Sequence, residues 1–304
     1  MGLRKLDIKA YLNVPRDSET VTRSLIRIFQ GGYRERPHEY ISGDSFKSHC
    51  CLELKPDNWK KSLLALGEDV RSKHMVFIPG LPHSDTSFEL VSFLESKGEL
   101  NFPNMSLVFH NGDMFPEQAR IEAISKKFNR IYAVNWTGHA ENVHPIPIGL
   151  ENEGLLRNGV VDDFLELLPK LRPVSQRPIT LLAAFSTHTN SHERERALYF
   201  AKQFDRSIVL DKPVTPKKYR ELITDSVYVL SPPGNGIDCH RTWEALFLGA
   251  IPVVKDIFWP FKNLSLNVVI LKDWQDLKNL PSSPNLESAN FLNEYGKVEN
   301  WLNH

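Results

Sequence analysis

The chain has 304 residues, with 37 Lys and Arg balanced by 37 Asp and Glu, and 41% of its residues are apolar. That length admits two domains of ordinary size, and the apolar content is too high and too even for disorder. Zero net charge excludes a chain-wide pull toward nucleic acid or an anionic membrane; three Cys without a Cys-x-x-Cys, two of them adjacent (Cys50 and Cys51), exclude a disulfide framework and point to a reducing compartment.

The first residues, Met-Gly-Leu-Arg-Lys-Leu, hold no long apolar run and no Ser or Thr at the sixth position. A signal peptide, a membrane span and myristoylation are therefore not expected, and a soluble, cytoplasmic protein is. Leu6 to Val14 alternates apolar and polar residues and predicts a half-buried strand. Thr20 to Phe29 reads as a helix stopped by Gly31-Gly32, residues 33–60 as irregular with a short strand near Tyr40-Ile41, and Trp59 to Val70 as an amphipathic helix.

From Met75 an α/β rhythm sets in. Strands are expected at Met75–Pro79, Leu107–His110 and Ile131–Asn135, with helices at Phe88–Ser96 and Gln118–Phe128 between them. Such alternation implies a parallel sheet whose ligand lies beyond the carboxyl ends of the strands. The polar residues there are His83 and Asp85, then His110, Asn111 and Asp113, then Asn135, Thr137 and His139. A helix is expected at Phe164–Leu171. Pro169, Pro173 and Pro178 then mark a hinge, dividing the chain into domains 1–170 and 171–304.

Ile179 to Phe185 opens the second domain as a strand, followed by the polar turn 186–191 and a helix at His192–Phe204. Thr187, Arg194 and Arg196 sit at that helix start and are candidate phosphate contacts. Ser207–Leu210 is the next strand and Thr215–Ile223 a helix opened by Thr-Pro. Val227–Leu230 reads as a buried strand, Ser231–Gly236 as a tight Pro- and Gly-rich loop, and Asp238 as the N-cap of a helix reaching Leu248, with Gly249 at its C′ position. Ile251–Val254 is the following strand. Trp259–Phe261 and Val268–Leu271 continue the domain, and Leu286–Trp301 reads as a terminal helix.

The start of the helix after Asp238 gathers unpaired N–H groups and a positive dipole end, which suits a phosphate. Arg241 and Glu244 share a face of it, and His240 neighbours Glu244. A guanidinium on a phosphate and a carboxylate on ribose hydroxyls would hold a nucleotide at both ends. A plain βα unit with Arg241 and Glu244 as an ion pair explains the same spacing.

Residues 233–254, Pro-Gly-x-Gly-x-Asp-x-x-Arg-x-x-Glu-Ala-Leu-x-x-Gly-x-Ile-Pro-Val-Val, resemble the donor-binding signature of exostosin-like glycosyltransferases. That family's Arg and Glu fall on Arg241 and Glu244, and its Pro-Phe on Pro260-Phe261. Asn135-Trp136 and Pro145-Ile-Pro-Ile-Gly-Leu-Glu151 resemble the end of its acceptor domain. The resemblance implies the GT-B architecture: α/β, two Rossmann-like domains with parallel sheets facing across a cleft, the last helix (about 286–302) returning to the first domain. It implies transfer of a sugar from a nucleoside diphosphate sugar, such as a UDP-sugar or UDP-xylose, to a hydroxyl of a glycan. Its animal members carry a membrane anchor. The lack of one here suggests a bacterial or viral relative, or an excised catalytic region.

The donor site is expected on Ser231, Gly234, Asn235, Gly236, Asp238, His240, Arg241, Glu244, Thr187 and Arg194. No Asp-x-Asp occurs, so a metal-independent enzyme without cofactor is expected, with Arg241 and helix N-termini meeting the leaving diphosphate. An inverting enzyme needs a base from the first domain; Asp113 and Asp85 are the candidates, ahead of His139, Glu151 and Glu153. A non-catalytic glycan- or nucleotide-binding protein and a sugar-nucleotide epimerase are the alternatives on this fold. No serine-hydrolase elbow or Walker loop is present, and Gly234-Asn-Gly236 lacks the third Gly of a dinucleotide fingerprint.

Overall fold

A computed structural model of the chain describes residues 18–29, 35, 37–68, 72–80, 86–112, 117–155, 158–281, 284 and 291–302. The strand expected at Leu6–Val14 and the candidate bases Asp85 and Asp113 lie outside these residues, as does His83. The described chain is α/β, with two parallel sheets of five strands each. No helix among the described residues is long and apolar enough to cross a membrane.

The first sheet runs β1 (Leu52–Glu53), β2 (His74–Pro79), β3 (Phe102–His110), β4 (Phe128–Ala133) and β5 (Val143–Pro145), side by side in chain order. Three helices connect them: α3 (Trp59–Glu68), α4 (Thr86–Ser96) and α5 (Gln118–Ser125). Alternation along the strands sends Val76, Ile78, Leu107, Phe109 and Ile131 into one core with Leu63 of α3, Leu90 and Leu94 of α4 and Ile124 of α5. Phe77, Val108 and Tyr132, on the opposite face, join a second core that also holds residues of the other sheet.

The second sheet comprises β6 (Ile179–Ala183), β7 (Ser207–Val209), β8 (Ser226–Leu230), β9 (Ile251–Lys255) and β10 (Val269–Leu271) in the order β10-β9-β8-β6-β7. Direction along the sheet therefore reverses between β6 and β8. Leu181, Ala183, Leu230 and Val253 pack with Ala197 and Ala201 of α7 (Ser191–Ala201) and with Trp274. Leu182, Val229 and Val254 face the shared core, with Leu222 and Ile223 of α8 (Pro216–Thr224) and Trp243 and Phe247 of α9 (His240–Phe247). Local sequence sets the helix ends. Asn190 caps α7 through Glu193 N at 3.4 Å, and Thr215 caps α8 through Lys218 N at 3.2 Å with Pro216 at the first position. α9 ends in a Schellman motif: Gly249 at φ +64° donates to Leu246 O at 3.1 Å, and Ala250 to Ala245 O at 2.8 Å.

Several expected elements differ. The stretch 33–60 holds α2 (Gly43–Ser48) and β1, both too short to show a period; Tyr40 only bridges to Lys297. The first helix, α1 (Ser18–Phe29), begins two residues early, β3 begins at Phe102, and α5 stops at Ser125 because Phe128 already belongs to β4. The helix expected at Phe164–Leu171 is α6 (Val161–Leu165) followed by a 3-10 turn. The expected terminal helix is two short ones, α10 (Phe291–Glu294) and α11 (Glu299–Leu302), parted where Lys297 pairs with Tyr40. Tyr132 Oη donates to Leu302 O at 2.9 Å, so α11 lies on the first sheet.

The proline-marked linker is pinned rather than loose. Buried Arg177 donates to Ser226 O (2.9 Å), Leu248 O (3.0 Å) and Ile223 O (3.4 Å). Its guanidinium thereby satisfies carbonyls at the ends of α8 and α9. Burial draws its pKa down to about 10.

Candidate functional site

The carboxyl ends of the two sheets meet each other. Asp238, just after β8, is the main fastener. Its carboxylate accepts from Ile148 N at 2.8 Å, from Cys239 N at 2.8 Å and from Trp243 Nε1 at 2.9 Å, while its own N–H donates to Asn135 Oδ1 at 2.9 Å. Asp238 is thus not the N-cap of α9. That position belongs to Cys239, and the Asp238 side chain instead reaches a backbone amide of the first domain. Burial outweighs these donors and pushes its pKa up to about 6. Gly236 lies against Asn135, where a Cβ would come within 2.7 Å of Nδ2. Asn135 itself adopts φ +59°, a left-handed conformation that Asn tolerates.

His240 opens α9, and Nδ1 lies 2.7 Å from Gly149 O of the first domain. Glu244, one turn on, is buried and accepts from Asn158 Nδ2 at 2.6 Å; burial raises its pKa, with His240 and Arg241 opposing. Asn158 in turn accepts from Arg220 Nη1 at 2.8 Å and offers its backbone N–H to Glu151 Oε2 at 3.0 Å. Arg220 pairs with Asp163 at 2.7 Å. An ion pair between Arg241 and Glu244, the alternative reading of their spacing, is not what holds the carboxylate, whose hydrogen bond comes from Asn158. The Tyr219 hydroxyl lies against both groups.

Arg241 also reaches past Tyr219 to the end of β6. Nε donates to Ala184 O at 3.1 Å and the guanidinium lies 5.0 Å from the Phe185 ring centroid. Nη1 is buried without a hydrogen-bond partner. Arg194 of α7 approaches the same ring, at 5.8 Å. It is buried and clamps the two loops together, donating to Pro233 O at 2.8 Å and Ser186 O at 2.6 Å. Burial, then repulsion from Arg241, lowers the Arg194 pKa. A Cβ at Gly234 would fall 2.6 Å from Arg194 Nη2, which is why the loop has glycine there.

The remaining candidates are spread out. Buried Ser231 spends its hydroxyl on Thr242 at 2.8 Å, Asn235 is exposed in the loop, and Thr187 is half-buried in the turn after β6. Arg196 lies apart, paired with Asp273 at 2.9 Å. In the first domain, buried His110 is held near a pKa of about 4 by desolvation; its Nε2 lies 3.1 Å from Pro147 O, and Nδ1 accepts from Asn111 N at 2.7 Å. Asn111 Oδ1 accepts from Asn152 at 3.2 Å, and a Cβ on Gly112 would lie 1.4 Å from Gly80 O. Thr137 bonds Gln118, at 2.8 Å, away from this junction. No protein-family model matches the chain, and no curated protein matches it in sequence. Spacing did not single out Phe185, Asn158, Tyr219 or Arg220. Only Phe185, an aromatic at a strand end beside a phosphate-type turn, carried a usable signal.

What the site can do follows from its charges. Two guanidiniums share one ring with no carboxylate ion-paired to either among the described residues, and one buried N–H awaits an acceptor. An unmet buried donor costs about 1–3 kcal/mol, which an incoming anion would recover. The location is the topological switch point of the second sheet, where open α/β sheets bind ligands.

Proposed function

We propose that the chain is a GT-B-type glycosyltransferase of exostosin-like character. It would move a sugar from a nucleoside diphosphate sugar to a glycan hydroxyl. The observation that carries this reading is the buried, unpartnered Nη1 of Arg241 beside Arg194 at the β6/β8 switch point. The diphosphate sits against Arg241 and the first turn of α9, and Glu244 faces the ribose, held by Asn158. The sequence signature at 233–254 supports the same site. A UDP donor, with xylose among the candidate sugars, and independence from a metal rest on that resemblance and on the missing Asp-x-Asp.

The test is calorimetric titration with nucleoside diphosphates and their sugars, in chelator, on the unaltered chain and on Arg241→Ala. Binding of one nucleotide that weakens by about 1.5–3 kcal/mol in the variant, the value of a charged hydrogen bond, is expected. Equal binding by both proteins would remove Arg241 from the site, and absence of binding to any nucleotide would sink the reading.

A further inference from the structure

We infer that His240, rather than a first-domain carboxylate, is the general base that receives the proton of the acceptor hydroxyl. This rests on the transferase reading of the same site. Consecutive residues on a helix project about 100° apart, and here they part company between domains. Arg241 turns to Ala184 and Phe185 of the second domain; His240 turns to Gly149 of the first. His240 thus stands beside the phosphate contact but is turned toward the first domain, which the transferase reading assigns to the acceptor.

Its tautomer is set by the backbone. A carbonyl only accepts, so at 2.7 Å from Gly149 O the Nδ1 atom carries the hydrogen. The neutral ring then presents the lone pair of Nε2. That nitrogen makes no hydrogen bond among the described residues and the residue is only half-buried. The carbonyl is itself held in place: Gly149 has φ +67°, and a Cβ there would sit 2.2 Å from Ile41 O. Leu150 N continues the anchorage, donating to Ile41 O at 2.8 Å.

The charged and titratable neighbours are few. Asp238 precedes the helix and Glu244 lies one turn along it, both acting on His240 electrostatically, with Arg241 alongside and Glu151 beyond Glu244. From the end of β3, His110 faces it and is kept neutral by burial. Gly149 O keeps its Nδ1 bond throughout the transfer.

The step balances as a displacement. The acceptor oxygen bonds to the anomeric carbon, and the bond from that carbon to the diphosphate breaks, its electron pair leaving with the diphosphate. The hydroxyl proton passes to Nε2, and the imidazolium later returns it to solvent.

Two measurements decide it. Nitrogen-15 NMR of the unaltered chain, with no substrate present, should show neutral His240 protonated on Nδ1; a proton on Nε2 overturns the assignment whatever the donor proves to be. Transfer from the nucleotide sugar found by calorimetry is then followed against pH. His240→Gln should keep donor affinity within about threefold and lower kcat about a hundredfold or more, the usual contribution of a general base, and should lose the acid limb of kcat/KM. Asp113→Asn and Asp85→Asn should keep that limb. A limb that survives in His240→Gln, or vanishes in either Asp variant, overturns the proposal. If the unaltered chain binds a nucleotide yet transfers nothing, the transferase reading falls and this one with it, whereas a failed tautomer test leaves that reading standing.

Discussion

The carboxyl ends of the two sheets face each other and are built on opposite plans. In the first sheet the strands follow chain order, and most polar groups past their ends are used on one another: His110 on Pro147 and Asn111, Asn111 on Asn152, and Asn135 Oδ1 on Asp238, while Asn135 Nδ2 is buried without a partner. In the second sheet the order reverses between β6 and β8, Arg194 ties the two following loops together, and Arg241 beside them keeps a buried N–H unspent. Each edge thus leaves one buried donor unmet, and the two differ in charge: a neutral amide in the first sheet, a guanidinium in the second. The charged donor draws an anion more strongly than the neutral one, and it stands where the strand order reverses.

The sharpest way to test the first edge is to pry it open. Gly112→Ala puts a methyl 1.4 Å from Gly80 O, backbone against backbone, with no flexible atom to yield. A loss of about 4 kcal/mol is expected in chemical denaturation, at the upper end for one methyl group. A loss under about 1 kcal/mol would show that the β2 and β3 ends are not locked.

The junction between the edges is open to a pH test. Asp238 has its pKa raised from 3.8 to about 6, so the folded state holds its proton longer than the unfolded chain. Its contribution is full below the unfolded value and is lost as pH rises toward 6, amounting to about 3 kcal/mol. His110 does the reverse: lowered from 6.5 to about 4, it gives stability that is present above 6.5 and lost as pH falls to 4, again about 3 kcal/mol. The two slopes nearly cancel across the junction. Asp238→Asn removes one of them, so its stability relative to the unaltered chain should climb by about 3 kcal/mol from pH 4 to 6. Parallel pH curves for the two proteins would contradict the buried ionisation.

The smaller test separates the two guanidiniums. Arg194→Ala strips the partner from Pro233 O and Ser186 O and should cost about 2 kcal/mol of fold stability. Arg241→Ala gives up one carbonyl contact but also removes the unmet buried donor, so fold stability should change by less than about 1 kcal/mol, its main effect being on ligand affinity. Thermal melts that rank them the other way would exchange the roles of clamp and contact.

Much of this was legible in the sequence, for reasons that are local. The β–loop–α–β unit from Val227 to Val254 announced itself through an apolar run, two Pro, two Gly and a Gly at C′, and the strands and the C′ glycine lie where those signals placed them. What escaped is non-local or short. β5 is Val-His-Pro and β1 two residues, neither long enough to alternate. Asp238 has the chemistry of a cap, and nothing nearby says that its partner is an amide 90 residues away. Asn158 reaches Glu244 across 86 residues and has no motif of its own. Arg194 was expected at a phosphate, but its side chain is already engaged with backbone.

One contact described with the fold bears on how the protein is made. The hydroxyl of Tyr132 waits for a carbonyl 170 residues further along, and Trp301 beside it wedges 5.9 Å from Trp243 and 5.2 Å from Phe261. As the chain leaves the ribosome, the first sheet can therefore gather its three helices on one side and α2 on the other, while the part of that second face around Tyr132 waits for α11 until nearly all of the second domain has followed. Through that interval, nascent chains crowded on one message would expose this apolar face to each other. A slow stretch of translation before Phe291 would prolong the exposure, and a holding chaperone that covers the surface around Tyr132 would relieve it.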